Sequence, residues 1–179
     1  GHVGCFGQKK IATLNIDRLA AEGMRFTDVY AGSPVCAPSR CCLMTGMHTG
    51  HARVRGNHGV GGSRVPLQPD DVTVAEVLKS AGYRTGIIGK WGLGEAGTLG
   101  IPNAQGFDEF FGFLNQDHAL EYYPRHLWNN TTEYFPDGNQ GAKQKAYVQD
   151  LFTARTLTFI RENAKRAFFL YLAYTVPHA

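Results

Sequence analysis

Cys36 and Arg40 are the residues whose types and spacing first suggest chemistry. They lie in the stretch VYAGSPVCAPSRCCLMTG, where Pro38 predicts the first position of a helix that ends at Gly46. Free N–H groups at a helix N-terminus favour a neighbouring anion, and the guanidinium fork of Arg40 matches a tetrahedral oxyanion. We therefore expect a sulfate or phosphate group to bind well beside Cys36.

Several kinds of cysteine chemistry can be compared for Cys36. A cysteine phosphatase needs the spacing C-x5-R, but the residue six positions after Cys36 is Cys42. No local signature supports a cysteine protease. The sequence contains no CxxC pair, so it does not predict a structural zinc site. A buried structural thiol suits Cys41 and Cys42, which lie inside the predicted helix, better than it suits Cys36. Four cysteines in 179 residues do not indicate a disulfide scaffold.

Two further side chains follow apolar segments that predict strands. Lys90 comes directly after TGIIG, and His178 comes four residues after FFLYLAY. In open parallel sheets, ligands bind beyond the carboxyl ends of the strands, which is where both side chains would lie. Charged residues also cap strands for structural reasons, so this placement alone leaves their function open.

The elements that would position these residues follow an α/β pattern. Residues 92–142 are rich in Gly, Pro, Asn and aromatic residues and predict a long loop region with short elements. The alternation of helices and apolar strands is typical of a layered α/β domain with a mostly parallel sheet flanked by helices. Helices are predicted over 13–23, 38–46, 73–82 and 143–164, and strands over 24–31, 83–90 and 167–174.

Local patterns also predict helix caps and buried faces. Thr73 and Glu76 form a capping box at the start of the third helix. In the first helix, the apolar spacing predicts that Ile16, Leu19 and Ala20 share one face. In the last helix, it predicts an inward face that consists of Tyr147, Leu151, Ala154, Leu157 and Ile160.

The composition is that of an ordinary globular protein, with 43% hydrophobic and 18% charged residues, and the length suffices for one domain. The net charge of +3, without a Lys/Arg block, does not predict nucleic-acid binding. The longest apolar run, 167–176, is too short to predict a membrane span. Because the chain starts without Met and stops after an apparent strand, we expect an internal segment of a longer protein.

The segment that begins at Cys36 resembles the signature of a known family. CAPSRCCLMTG matches the sulfatase signature C/S-x-P-S-R-x-x-L-x-T-G at every defined position. The segments TLNIDRLAAEGMRFTDVYAGSPVC, HTGH, AGYRTGIIGKWGLG, GFDEFFGF and LYLAYTVPHA are also similar to sulfatase segments, in the same order. The resemblance covers residues 1–179 and implies the N-terminal portion of a sulfatase catalytic domain with the alkaline-phosphatase-like fold, present here as a fragment.

The resemblance implies a role for each candidate residue. In sulfatases a separate enzyme oxidises the signature cysteine to formylglycine, whose hydrate attacks the sulfur of a sulfate monoester, so Cys36 would be the precursor of the nucleophile. Arg40 would steady the formylglycine, and Lys90 would bind the sulfate group. His178 would contact the ester oxygen and assist the leaving group, and His118 would line the substrate side.

The same resemblance implies a divalent cation, Ca²⁺ or alternatively Mg²⁺. Residue 36, as formylglycine, is the one family metal ligand that falls within this sequence, so the segment alone is expected to be inactive. The implied partners are a sulfated small molecule or carbohydrate and a formylglycine-generating or anaerobic sulfatase-maturating enzyme. The implied location is periplasmic, secreted or lysosome-like.

One position departs from the pattern of many relatives. The chain reads GKWGLG, and Gly92 stands where those relatives have a histidine that helps the catalytic hydroxyl. Two other functions therefore stay open beside a sulfatase. One is a phosphonate monoester or phosphodiester hydrolase of the same superfamily, and the other is a catalytically silent binding relative.

Overall fold

The computed structural model describes residues 2–59, 64–141 and 143–178, which divide into two units, residues 1–30 and 31–179. The first unit contains a short 3-10 turn, Gly4–Phe6, and helix α1, Leu14–Glu22. The carboxylate of Asp17 accepts a hydrogen bond from the Cys5 backbone N–H at 2.7 Å and thereby joins the turn to the helix.

One prediction for this part of the sequence is wrong, because residues 24–31 form no strand. The apolar face of α1 is not buried, since Ile16 and Leu19 are both exposed. Polar contacts such as that of Asp17, rather than apolar packing, therefore hold the first unit together.

The second unit is built on a five-stranded mixed sheet in the order β4-β3-β2-β1-β5. Strand β1 lies between two parallel neighbours, β2 and β5, while β3 and β4 pair antiparallel at one end. The predicted mostly parallel arrangement thus holds around β1. The strands are β1 (Arg84–Lys90), β2 (Glu109–Phe113), β3 (Leu127–Asn129), β4 (Thr132–Tyr134) and β5 (Phe168–Ala173).

Strand β2 lies inside the region that the sequence predicted to be mainly loop. Its five residues, EFFGF, include a glycine and are surrounded by Gly, Pro and Asn. A strand this short is difficult to separate from aromatic loop residues by periodicity, because it is buried along most of its length and does not alternate.

Helices cover both faces of the sheet. On one face, residues of α2 (Cys36–Thr45) and α3 (Val74–Ser80) pack in a cluster with Ile87 of β1. On the other face, α4 (Val148–Asn163) packs in a second cluster with Ile88. Successive strand residues point to opposite faces, so the apolar run of β1 supplies both clusters. The predicted capping box of α3 is confirmed by both of its reciprocal hydrogen bonds.

The buried face of α4 differs from the predicted one. The helix packs Phe152 and Phe159 into the core, whereas Leu157 and Ile160 remain 45% and 39% exposed. Phe159 approaches β1 closely, because a Cβ at Gly86 would lie 2.5 Å from its ring. The buried side of α4 is therefore formed by Val148, Phe152 and Phe159, and Leu157 and Ile160 lie outside it.

Gly89 permits the close pairing of β1 and β5 just before Lys90. Its φ is +114°, and a Cβ there would lie 2.1 Å from the carbonyl oxygen of Ala173. We expect Gly89→Ala to lower the free energy of unfolding by about 2–5 kcal/mol, combining overpacking against backbone with left-handed strain. Denaturant titration of the complete protein measures this loss.

Gly97 provides the matched control for this prediction. Its φ is +83°, but no heavy atom lies within 4 Å of an added Cβ. Gly97→Ala should therefore lower the free energy of unfolding by only about 1–2 kcal/mol, which is the cost of the left-handed conformation. Equal losses in the two variants would contradict a specific role for the contact between β1 and β5.

Candidate active site

Cys36 is the first residue of α2, which ends at the predicted Gly46. The helix begins two residues before the position that Pro38 predicted. Both placements are compatible with Pro38, because the first four N–H groups of a helix have no intrahelical partner. Val35 precedes the helix and has no side-chain oxygen that could cap it. The thiol of Cys36 thus lies at a helix N-terminus, as the sequence indicated.

Asn57 caps this helix from a distant loop. Its Oδ1 accepts a hydrogen bond from the backbone N–H of Ala37 at 3.0 Å, and its Nδ2 donates to Sγ of Cys36 at 3.3 Å. No sequence pattern predicted a role for this residue. An isolated asparagine between glycine and histidine, 21 positions from Cys36, carries no signal that separates it from a turn residue.

Lys90 is the last residue of β1 and is only 3% exposed. Its positive charge favours the thiolate form of Cys36. Partial burial by itself raises the pKa of the Cys36 thiol, but the hydrogen bond from Asn57 and the charge of Lys90 outweigh it, so the pKa lies below its ordinary value. Burial lowers the pKa of Lys90, although the thiolate form of Cys36 opposes this shift.

Arg40 joins α2 to the neighbouring strands β1 and β5. Its Nη1 donates to the backbone carbonyl of Lys90 at 2.6 Å and to the hydroxyl of Tyr171 in β5 at 3.1 Å. Its Nε is buried, with no hydrogen-bond partner among the described residues. In this arrangement Arg40 fixes the helix N-terminus against the end of β1, and its charge reaches Lys90.

His178 lines the same cavity as Cys36. The cavity has a volume of about 450 Å³, and Asn57 also contributes to its wall. The backbone carbonyl of His178 accepts a hydrogen bond from the hydroxyl of Tyr122 at 2.5 Å, which anchors the segment after β5. The complete lining is Ser33, Pro34, Val35, Cys36, Ser39, Asn57 and His178.

His118 has different surroundings. Its ring lies 4.8 Å from that of Phe113 and 4.4 Å from that of His126, measured between centroids. Burial, together with the neighbouring His126, lowers the pKa of His118. His118 is not among the residues that line the cavity beside Cys36. The cavity therefore brings Cys36 and His178 together. Lys90 is linked to Cys36 by its charge, and Arg40 is linked to Lys90 by a hydrogen bond. The substrate-side role of His118 stays a prediction.

Gln116 fills the space beside Gly92. A Cβ at Gly92 would lie 1.7 Å from Nε2 of Gln116, and that amide donates to the Gly92 carbonyl at 3.1 Å. The side chain is 4% exposed, and its Oε1 has no hydrogen-bond partner within the described part of the chain. A larger residue at position 92 therefore requires Gln116 to move.

The described residues do not by themselves fit a metal site. Among residues 2–59, 64–141 and 143–178, no group of three or more His, Cys, Asp or Glu side chains could hold a metal ion. Residue 36 is the one predicted metal ligand within that part of the chain. Within the same ranges, no helix is long and apolar enough to cross a membrane.

Comparisons with known proteins place this geometry in context. The family model described as Sulfatase matches residues 1–179. Human N-acetylgalactosamine-6-sulfatase is 32% identical over 199 aligned residues, which cover all of this chain and 37% of the relative. Human arylsulfatase G is 45% identical over 115 residues, covering 63% of this chain and 21% of that protein. The chain thus spans well under half the length of these relatives.

The fold of this chain is also similar to that of solved structures. Ps i-CgsB has a TM-score of 0.80 and 33% identity, with coverage of 99% of this chain and 42% of that one. The structure of BT4656 in complex with its substrate D-glucosamine-2-N,6-O-disulfate has a TM-score of 0.73 and 29% identity. That match covers 97% of this chain and 31% of that one.

Proposed function

We propose, from the premise that this chain belongs to the sulfatase family, that the protein hydrolyses sulfate monoesters through residue 36. The observation that carries the proposal is the position of Cys36. It begins α2 in a cavity that His178 also lines, with the charge of Lys90 acting on it. A sulfated carbohydrate is the substrate class that we favour, because BT4656, a structural relative, acts on a sulfated glucosamine.

Residue 36 supplies the nucleophile once it is formylglycine, since one hydroxyl of the aldehyde hydrate attacks sulfur and the other then drives elimination of sulfate. The chain's own contribution is to bind and orient the ester. Lys90 places a cation at the end of β1, where it neutralises the sulfate oxygens as charge develops. An anion in the cavity also favours the charged form of Lys90, which opposes the lowering of its pKa by burial.

His178 and Arg40 complete the proposed arrangement. The imidazole of His178, at the cavity wall, donates a proton to the oxygen of the departing alcohol. Arg40 holds the α2 N-terminus to the Lys90 carbonyl, so the nucleophile and the cation keep a fixed separation. Ca²⁺ or Mg²⁺, the maturing enzyme and a periplasmic, secreted or lysosome-like location stay predictions.

Expression of the complete protein with a formylglycine-generating enzyme tests the proposal. Peptide mass spectrometry should show conversion of Cys36, while Cys5, Cys41 and Cys42 remain thiols. The converted protein should then hydrolyse an aryl sulfate faster than the matched aryl phosphonate monoester. Faster phosphonate cleavage would assign the protein to the phosphonate hydrolases, and no cleavage of either ester would indicate a catalytically silent relative.

His178→Ala should lower turnover of an aryl sulfate on the order of 10²-fold, the lower end of the range for general acids. A phenolate leaves with little help from a proton, so the loss should be larger with a sugar sulfate, whose alkoxide is a poorer leaving group. Steady-state kinetics on both substrates measures this difference. His51→Ala, at an exposed histidine, serves as the control. Equal losses on both esters would contradict the role of His178 as proton donor.

A further inference from the structure

The side-chain amide of Asn57 is oriented by its contacts. Its oxygen accepts the backbone N–H of Ala37 at 3.0 Å, and its nitrogen donates to Sγ of Cys36 at 3.3 Å. A flipped amide would place the NH₂ group against the Ala37 N–H and lose that hydrogen bond. The amide therefore presents an N–H donor to the γ atom of residue 36.

The start of α2 explains why this orientation is kept. Val35 offers no side-chain acceptor, so the N–H groups of the first turn need a partner from elsewhere in the chain. Asn57 supplies that partner for Ala37, and both residues 36 and 57 also line the cavity where the substrate would bind. The capping bond thus holds a donor at the point where the proposed chemistry takes place.

We propose that Asn57 is a catalytic residue that polarises the aldehyde oxygen of residue 36 for addition of water. This inference rests on the proposed function, because it concerns residue 36 as formylglycine. The aldehyde oxygen is bonded to Cβ, as Sγ is in the cysteine, so Nδ2 of Asn57 lies within reach of it. An amide N–H cannot accept a proton, so Asn57 acts as a donor to this oxygen and not as a base.

The step that this donor assists is rehydration of the aldehyde after sulfate leaves. The water oxygen forms a bond to the carbonyl carbon, and the π electron pair of the C=O bond moves to the carbonyl oxygen. That oxygen carries negative charge until it receives the proton that the water loses, which completes the hydrate. An N–H donor that already points at the oxygen stabilises this charge, as the donors of an oxyanion hole do.

Asn57→Asp is the sharpest test of this role. The carboxylate retains an acceptor for the Ala37 N–H and has nearly the same shape, but it lacks the N–H that faces residue 36. In the complete, converted protein we expect an aminooxy probe to form its oxime at least about tenfold more slowly, because this addition also places negative charge on the aldehyde oxygen. Mass spectrometry of the residue 36 peptide follows the oxime with time and does not require hydrolytic activity.

Two further variants keep the result interpretable. His58→Ala changes the next, exposed side chain and should react with the probe as the unchanged protein does. Asn57→Ala loses both the donor and the cap and should also react slowly. Thermal melting of each variant identifies loss of the fold, and Asn57→Ala carries the test if Asn57→Asp does not fold.

The outcomes separate this inference from the proposed function. An unchanged probe reaction in folded Asn57 variants of an active sulfatase overturns the role of Asn57 and leaves the function standing. A slowed probe reaction in a protein that cleaves no sulfate ester supports the role of Asn57 and contradicts the proposed function. If residue 36 is not converted in the presence of the maturing enzyme, both are overturned.

Discussion

Replacing Cys36 by alanine in the complete protein should abolish hydrolysis of sulfate esters. Alanine has no atom beyond Cβ, so it cannot become an aldehyde or its hydrate. Loss of a nucleophile has cost on the order of 10⁶ in kcat in a protease where it was measured. The fold should be affected little, because Cys36 is only partly buried and the contact from Asn57 to Ala37 does not involve its sulfur.

Cys42→Ala is the control for this variant. Cys42 lies in the same helix and is partly buried against the core, but it does not line the cavity beside Cys36. This variant should keep both conversion of residue 36 and turnover. Turnover assays and thermal melts of the two variants give the comparison, and residual activity in Cys36→Ala well above that of heat-inactivated protein would refute the assigned nucleophile.

Lys90→Met should lower turnover about 10²- to 10³-fold, the typical cost of removing one electrostatic contact to a transition state. Methionine is a better test than alanine at this buried position, because it fills similar space and leaves little cavity. Burying a charge costs free energy, so the variant should be as stable as the unchanged protein or more stable. We therefore expect a loss of turnover without a loss of stability.

Kinetics and denaturant titration of the same preparations test this pair of expectations. Lys79→Met provides the control, because Lys79 is half-exposed and pairs with Asp108 at 2.8 Å, away from the cavity lining. It should leave turnover unchanged. A Lys90→Met protein that unfolds more easily but turns over normally would indicate a structural role for this lysine.

The fold class was predictable because the apolar run of β1 and the alternating elements point to buried parallel strands. With the family established, the alkaline-phosphatase-like mixed sheet is confirmed by structural relatives such as Ps i-CgsB. The positions of Cys36, Lys90 and His178 could also be predicted, since Cys36 begins a helix, Lys90 ends a strand and His178 follows one. A helix N-terminus and the carboxyl ends of parallel strands are places where local sequence determines what a side chain can reach.

Other features depended on contacts between distant residues, which local patterns do not record. The position of Asn57 follows from where its loop returns to α2. The orientation of α4 follows from the approach of Phe159 to Gly86. Similarly, the position of Arg40 in the first turn of a helix predicted that it lies near an oxyanion. The sequence did not predict that its Nη1 donates to the Lys90 carbonyl.

The pairing of β1 with β5 also has a consequence for the order in which the chain folds. Gly86 of β1 pairs with Glu109, which follows soon in the sequence, whereas Arg84 pairs with Phe168 near the end of the chain. Contacts between residues far apart in sequence form late and slowly, because a long loop must close first. Pro38 is buried and Arg40 is bound to Tyr171 of β5. If a maturing enzyme binds the segment around Cys36, we therefore expect it to reach Pro38 and Arg40 before β5 closes the sheet rather than in the folded chain.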